Sequence, residues 1–329
     1  MDSWWRFRDC RDFMIIAFHT NQLSLRGTEI ASYDYADHNE KILGNESIII
    51  TRNPDVWKYS DSKAIEKFQK RFKVFFYSDF SEVEKILNDQ LVDIFYALKA
   101  GMNDGVVSKG RKTVIHSVFQ YHEPHGDVYA YVSEWLGKQY NSPFVPHMVT
   151  LADTDENLRD QLGIPKDAVV FGRYGGYETF DMLQVKYLVQ EIAQKNNNIY
   201  FLFMNTEKFS DPSQKNIIYL DGTSDMIEKT KFINTCDAML HARMKGESFG
   251  LAIAEFSIRN KPVLCSKFAV DKAHFDLLKD KGIYYGDNSH LASLLENPIY
   301  LNDKTVDWNC YRDYTPEKVM DKFNKVFLQ

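Results

Sequence analysis

Cysteine is sparse in this chain, basic clusters are missing and no apolar run is long; each shortage removes a class of protein. Four cysteines, Cys10, Cys236, Cys265 and Cys310, stand in 329 residues without paired spacing. Such a pattern fits reduced thiols in a cytoplasmic protein better than a disulfide frame or a zinc site. No basic run is longer than two residues and the formal net charge is −6, so nucleic acid is a poor candidate for the main partner. The longest apolar run near the start, Phe13 to Phe18, is far too short to span a bilayer, and no secretory leader is expected ahead of it. No Gly-x-Gly-x-x-Gly follows the first strand, which argues against a dinucleotide dehydrogenase.

What is present is enough chain for two domains of ordinary size, each with its own core. Aromatic residues make up 14% of it, a share that core packing mostly explains. Residues 1 to 12 mix Trp4, Trp5 and Phe7 with Arg6, Arg8 and Arg11; packing of a terminal arm is expected ahead of peripheral membrane contact, since Asp9 and Asp12 balance the charge. A strand from Phe13 to His19, a polar turn ending at Gly27, a helix from Thr28 to about Leu43 and a strand at Ser47 to Thr51 make a βαβ unit. Gly27 is where a phosphate can approach the backbone. Further strands are expected at Lys73 to Tyr77, Val92 to Leu98, Thr113 to Val118 and Tyr129 to Val132. Asn141 to Thr150, broken by Pro143 and Pro146, reads as a linker. A second series then begins with a strand at Ala168 to Arg173, a helix at about Asp181 to Gln194 and a strand at Ile199 to Met204. The cluster His122, Glu123, His125 and Asp127 holds metal-ligand types, but Pro124 and Gly126 favour an irregular loop over a metal site.

The most informative stretch runs from His241 to Pro262. A strand delivers His241 and Arg243, and a loop with Lys245 and Gly246 follows. Ser248 is a hydroxyl residue of the type that caps a helix start, and from Phe249 to Ile258 apolar residues leave no polar face, so a buried helix is expected. Glu255 sits inside that helix with no cation within a turn along the chain, so its donors must come from elsewhere in the fold or from a ligand. Glu247 precedes it by eight residues. With helical rise the two carboxylates stand about 12 Å apart. That exceeds the roughly 5 to 9.5 Å of a glycosidase pair. It suits two hydroxyl-bearing ends of one extended ligand. Between them the helix start presents the amides of Ser248, Phe249 and Gly250, a seat for phosphate. A nucleotide-sugar has this layout. Arg173, at a strand end beside glycines, is placed either to grip a diphosphate bidentately or to form a surface salt bridge.

Glu-x7-Glu enclosing Phe-Gly-Leu, followed by a helix and a Lys-Pro-Val strand, resembles the donor-site signature of the retaining GT-B glycosyltransferases of the large family 4-like group, which includes bacterial mannosyltransferases and sucrose-phosphate synthase. The resemblance implies an α/β chain with two Rossmann-like domains facing each other across a cleft. Residues 1–146 would form the acceptor side, residues 147–315 the donor side, and residues 316–329 would cross back onto the first domain. It implies an enzyme that transfers a hexose from a nucleoside diphosphate, UDP or GDP, to an acceptor hydroxyl of a glycan or glycoconjugate, with retention, and with no metal or other cofactor. In that reading Glu255 accepts from ribose, Glu247 from the donor sugar, and the Phe249 and Gly250 amides hold sugar and phosphate. Gly172 and Arg173 lie at the diphosphate, Asp221 stands near the base, and His241 and Arg243 lie close to the sugar; His116, which on its residues alone reads as a satisfied core histidine, faces the reacting centre in this resemblance. Relatives carry a lysine five or six residues after Gly-Arg, where this chain has Glu178 and Thr179. Arg243 and Lys245 are the nearest substitutes. The departure keeps two alternatives in view, a catalytically silent GT-B scaffold and a nucleotide-sugar epimerase.

Overall fold

Valine, isoleucine and phenylalanine runs with no polar alternation demand strands covered on both faces, the signature of parallel sheet. The computed structural model describes residues 11–329, so the Trp4, Trp5 and Phe7 arm lies outside the described residues. The chain divides into two units. The first comprises residues up to Ser24, Thr28–Pro146 and Pro316–Gln329; the second comprises Leu25–Gly27 and His147–Thr315.

In the first unit β1 (Ile15–Thr20), α1 (Gly27–Lys41), β2 (Glu46–Arg52), α2 (Ser62–Arg71), β3 (Lys73–Tyr77), α3 (Val83–Asp89), β4 (Ile94–Lys99), β5 (Lys112–Ser117), β6 (Val128–Tyr131) and α4 (Glu134–Tyr140) follow in order. The six strands are all parallel in the order β3-β2-β1-β4-β5-β6. Every residue of β1 and β4 is buried. Helix starts follow local chemistry: the Asp61 side chain accepts from the amides of Lys63 and Ala64, and Ser133 from that of Leu136. The linker stretch is less irregular than its prolines suggest, because Phe144 makes a parallel bridge to Tyr131.

The second unit holds α5 (Arg159–Leu162), β7 (Val169–Tyr174), α6 (Leu183–Lys195), β8 (Ile199–Met204), β9 (Ile217–Leu220), α7 (Met226–Thr235), β10 (Ala238–His241), β11 (Gly246–Glu247), α8 (Leu251–Ile258), β12 (Val263–Ser266), β13 (Asp271–Lys272), α9 (Ala273–Leu278), β14 (Ile283–Tyr285) and α10 (Asn288–Glu296). Its six-stranded parallel sheet has the order β14-β12-β10-β7-β8-β9, and β11 pairs with β13 beside it. Strand order reverses between β7 and β10. In open parallel sheets ligands bind at such a switch point, at the carboxyl ends of the strands. The ends of β7 and β10 carry Arg173 and His241.

The last helix, α11 (Pro316–Phe323), buries Val319, Met320 and Phe323 in the first unit and continues into a wider turn, Asn324–Leu328. Phe323 lies 5.3 Å from the rings of both Tyr35 and Tyr96, and Phe327 lies 5.0 Å from His116. Among the described residues no helix is long and apolar enough to cross a membrane.

Gly172 sits inside β7, and a Cβ added there would come within 2.2 Å of Cys236 Sγ and 3.1 Å of the Phe256 ring. It is therefore a packing position between strand and helices, and the expectation that it touches a phosphate is corrected. Gly172→Ala is expected to lose about 1–3 kcal/mol of stability by overpacking. Chemical denaturation of the two proteins checks this, and equal midpoints would refute the packing assignment.

Candidate functional site

At the switch point of the second unit the backbone does the first part of the work. Gly246 has φ +75° and its Cβ position would lie 2.2 Å from the Asp271 carbonyl, so only glycine lets β11 approach β13 here. Gly250, with φ +90°, then turns the chain into α8. This revises the expected helix start: Gly250 and not Ser248 occupies the capping position, and no side chain caps the helix. The first turn of α8, Leu251 to Ile253, thus has its amides outside the helix's own ladder, which begins with Ala254 donating to the Gly250 carbonyl at 2.9 Å. Phe249 does not reach outward. Its ring is buried among His147, Tyr311 and Tyr314, and its carbonyl accepts from the Tyr311 hydroxyl at 3.2 Å.

Glu247 is the hub of the polar part. Its Oε1 accepts from His241 Nε2 at 3.0 Å and its Oε2 from Arg243 Nη1 at 3.0 Å. Burial pushes this carboxyl up, but the His241 hydrogen bond and the Arg243 charge outweigh burial and hold it down at about 2. It remains ionised and partly exposed, an acceptor with lone pairs to spare. Lys245 lies exposed on the same loop, and its carbonyl accepts from the Asp271 amide at 2.6 Å.

Arg173 is placed differently from a waiting anion grip. It is 4% exposed, with Nη1 donating to Thr206 Oγ1 at 2.5 Å and Nη2 to Thr179 Oγ1 at 2.5 Å and to the Gly176 carbonyl at 2.9 Å. Neither an exposed salt bridge nor a free fork describes it. Burial lowers its pKa to about 10, with Glu247 opposing, so it keeps its charge at neutral pH. It locks the loop after β7 to the end of β8 and lends positive charge to the site from behind. Thr179, at a position where the resemblance calls for lysine, is one of its acceptors.

Glu255 is 4% exposed inside α8, as its apolar neighbours imply, and the donor it needs comes from Lys229, whose Nζ reaches its Oε1 at 2.7 Å. Lys229 was not singled out from the sequence, although α7 carries it on the same buried face as Phe232 and Ile233. A lysine three and four residues before buried apolar positions is the available signal. Asp221 is exposed just past β9, and Gly27 is exposed at the start of α1.

His116 does not belong to this group. It is fully buried in the first unit, with Nδ1 2.6 Å from the Tyr96 hydroxyl and Nε2 2.8 Å from the Val145 carbonyl. Both ring nitrogens are used, so the expected catalytic role is corrected to that of a core histidine. The HEPHGD cluster is a loop in which each member serves the local fold. His122 bonds the Tyr131 hydroxyl at 2.8 Å, Glu123 accepts from the Asn103 amide at 2.8 Å, and Asp127 accepts from the Thr113 amide at 2.6 Å.

Burial lowers the His116 pKa to about 3, against the Val145 and Tyr131 main-chain hydrogen bonds that raise it. Below an unfolded-chain value of about 6.5 the unfolded state takes up a proton that the folded state refuses, so stability falls as pH drops from about 6.5 toward about 3. His116→Gln is expected to make that decline shallower by up to about 1.4 kcal/mol per pH unit. Denaturant midpoints between these limits check it, and an unchanged slope would contradict the buried neutral state.

No family model matches the chain, and no curated protein matches it either. Solved structures do. The Anabaena protein HepE, in complex with UDP and glucose, superposes with a TM-score of 0.70 at 14% identity, covering 95% of this chain and 98% of its own. WaaG, a glycosyltransferase of lipopolysaccharide biosynthesis, gives a TM-score of 0.65 at 11% identity, covering 94% of this chain and 99% of its own. A Listeria monocytogenes protein of UDP-N-acetylglucosamine 2-epimerase type gives a TM-score of 0.59 at 9% identity, covering 94% of each chain. The two parallel six-stranded sheets with their flanking helices are those of the GT-B fold.

Proposed function

We propose that this chain is a glycosyltransferase that moves a sugar from a nucleoside-diphosphate sugar to an acceptor hydroxyl, with the donor held by residues 147–315. The observation that carries the reading is the polar cluster of Glu247, His241 and Arg243 at the strand switch point, beside the unladdered first turn of α8. Likeness in fold to HepE, described as binding UDP and glucose, supports it. Glu247 accepts a hydrogen bond from a donor-sugar hydroxyl, and the α8 amides with Ser248 and Gly250 receive phosphate oxygens. Glu255, its charge balanced by Lys229, accepts from ribose, and Asp221 lies toward the base. Arg173 and Arg243 stabilise the charge that grows on the departing diphosphate, with Lys245 as the outer cation. In the proposed same-face displacement the acceptor oxygen bonds the anomeric carbon as the carbon–phosphate-oxygen bond breaks. The acceptor's proton passes to the departing phosphate. The configuration is retained, the phosphates need no metal, and the reaction is cytoplasmic in this reading.

A silent GT-B scaffold that binds a nucleotide-sugar is the second reading. It draws on the absence of lysine at Glu178 and Thr179 and on the occupied fork of Arg173.

Breaking the buried Lys229–Glu255 pair one-sidedly is expected to cost about 3–5 kcal/mol of stability, so Glu255→Ala alone is a poor probe of binding. The double variant Lys229→Met with Glu255→Gln removes both charges. Calorimetry with UDP, GDP and their sugar conjugates is expected to show at least about tenfold weaker binding in it, or about 1.4 kcal/mol. Unchanged affinity would remove the ribose assignment. Arg173→Lys is expected to lower turnover more than donor affinity. Tight donor binding by the wild type with neither hydrolysis nor acceptor-dependent transfer would favour the scaffold.

A further inference from the structure

Beneath β11 three buried ligand-type side chains from separate elements meet. His241 ends β10, Cys265 lies opposite it in β12, and His274 is in the first turn of α9. One ligand atom from each lies within 4.8 Å of the other two, and the His241 and His274 rings are 5.4 Å apart between centroids. The pairing of β11 with β13 sets Glu247 opposite Lys272 and so brings the start of α9 against the Glu247 segment. All three side chains are buried, and His274 is 0% exposed. Neither ring nitrogen of His274 meets a partner in hydrogen-bond geometry, and the Glu247 main chain bears on it without closing such a bond. A buried polar atom left in that state costs about 1–3 kcal/mol. Packing alone gives no reason for two imidazoles and a thiol to converge there.

We propose that His241, Cys265 and His274 form a binding site for one zinc-class transition-metal ion. Two imidazole nitrogens and a thiolate are a borderline-soft donor set, suited to Zn2+ and unsuited to Mg2+ or Ca2+. A tetrahedral zinc needs about 3.5 Å between ligand atoms, so the observed spread closes with side-chain rotations that shift atoms by about 1 Å. Three protein donors are the complement of zinc sites that keep one exchangeable position. Glu247 already accepts from His241 Nε2 at 3.0 Å, the carboxylate–histidine arrangement that fixes the tautomer of a metal-bound imidazole. Binding converts the Cys265 thiol to thiolate and releases its proton to solvent. Burial opposes that ionisation in the free protein, and the cation's charge supplies what favours it. The ion ties β10, β12 and α9 together under Glu247 and takes no part in holding the donor phosphates.

The test uses the untagged 329-residue chain loaded with excess Zn2+ or Mg2+, desalted and analysed for metal. About one zinc per chain and no magnesium is expected to remain. Co2+ added to the metal-free wild type is expected to develop a thiolate-to-metal charge-transfer band. Cys265→Ser and His274→Gln, checked for folding by circular dichroism, are each expected to lose the bound zinc, and a chelator is expected to lower the melting temperature of the wild type alone. Absence of retained zinc and of the cobalt band in the wild type overturns the proposal, and so does zinc retention by both variants. Neither readout depends on nucleotide-sugar binding, so failure here leaves the transferase reading standing and the reverse also holds.

Discussion

An ionised carboxylate inside an apolar helix is unstable unless a counter-charge reaches it, and this constraint organises the second unit. Glu255 lies in α8, where neighbouring positions are apolar and covered. Lys229 of α7 answers it across the interior at 2.7 Å, locking the two helices in register beside the central strands. With α8 so positioned, its amino end comes to the strand switch point, and the short β11 ahead of it presents Glu247 to His241 and Arg243. The polar site is thus assembled on a helix whose own placement rests on a buried ion pair.

The same economy explains why Arg173 is enclosed. A guanidinium at the end of a buried strand needs acceptors, and Thr206, Thr179 and the Gly176 carbonyl provide them on two sides. A charge fixed by three neighbours is preorganised, which is how electrostatic stabilisation is most effective: no reorientation is needed as charge develops nearby. Thr179 serves this fixing, whereas a lysine there would have brought a second cation against the first.

Histidines divide by the same rule of satisfied nitrogens. His116 finds a hydroxyl and a carbonyl and becomes part of the packing around Tyr96 and Phe327. His241 finds a carboxylate and so joins the polar site. His274 finds neither, and stands instead beside His241 and Cys265. Three identical side chains at comparable depth thereby acquire three different roles, decided by what the neighbouring elements place within 3 Å or so of each ring.

Much of the fold was legible in the chain itself. Uninterrupted apolar strands alternating with helical stretches specify parallel α/β units, and the β3 and β8 spans fell where their sequences placed them, because local apolar patterning and the side-chain periods of strand and helix are properties of contiguous residues. The buried character of Glu255 and the loop at Gly246 were legible for the same reason, whereas the turn at Gly250 into α8 was not. Strand order, the partner of Glu255, the enclosure of Arg173 and the groups that hold His116 were not, although the residues alone favour a core histidine at His116 and only the resemblance moves it to the reacting centre. Lys229 stands 26 residues from Glu255, and Val145 stands 29 from His116. No local pattern connects positions so far apart. Cys265 likewise looked like one of several scattered thiols, and only the pairing of β10 with β12 set it beside His241. The sequence by itself determined which segments become strands and helices and which faces they bury; the tertiary structure decided which side chains meet, because contacts between distant residues are made by sheet register and helix placement and by nothing written in adjacent positions.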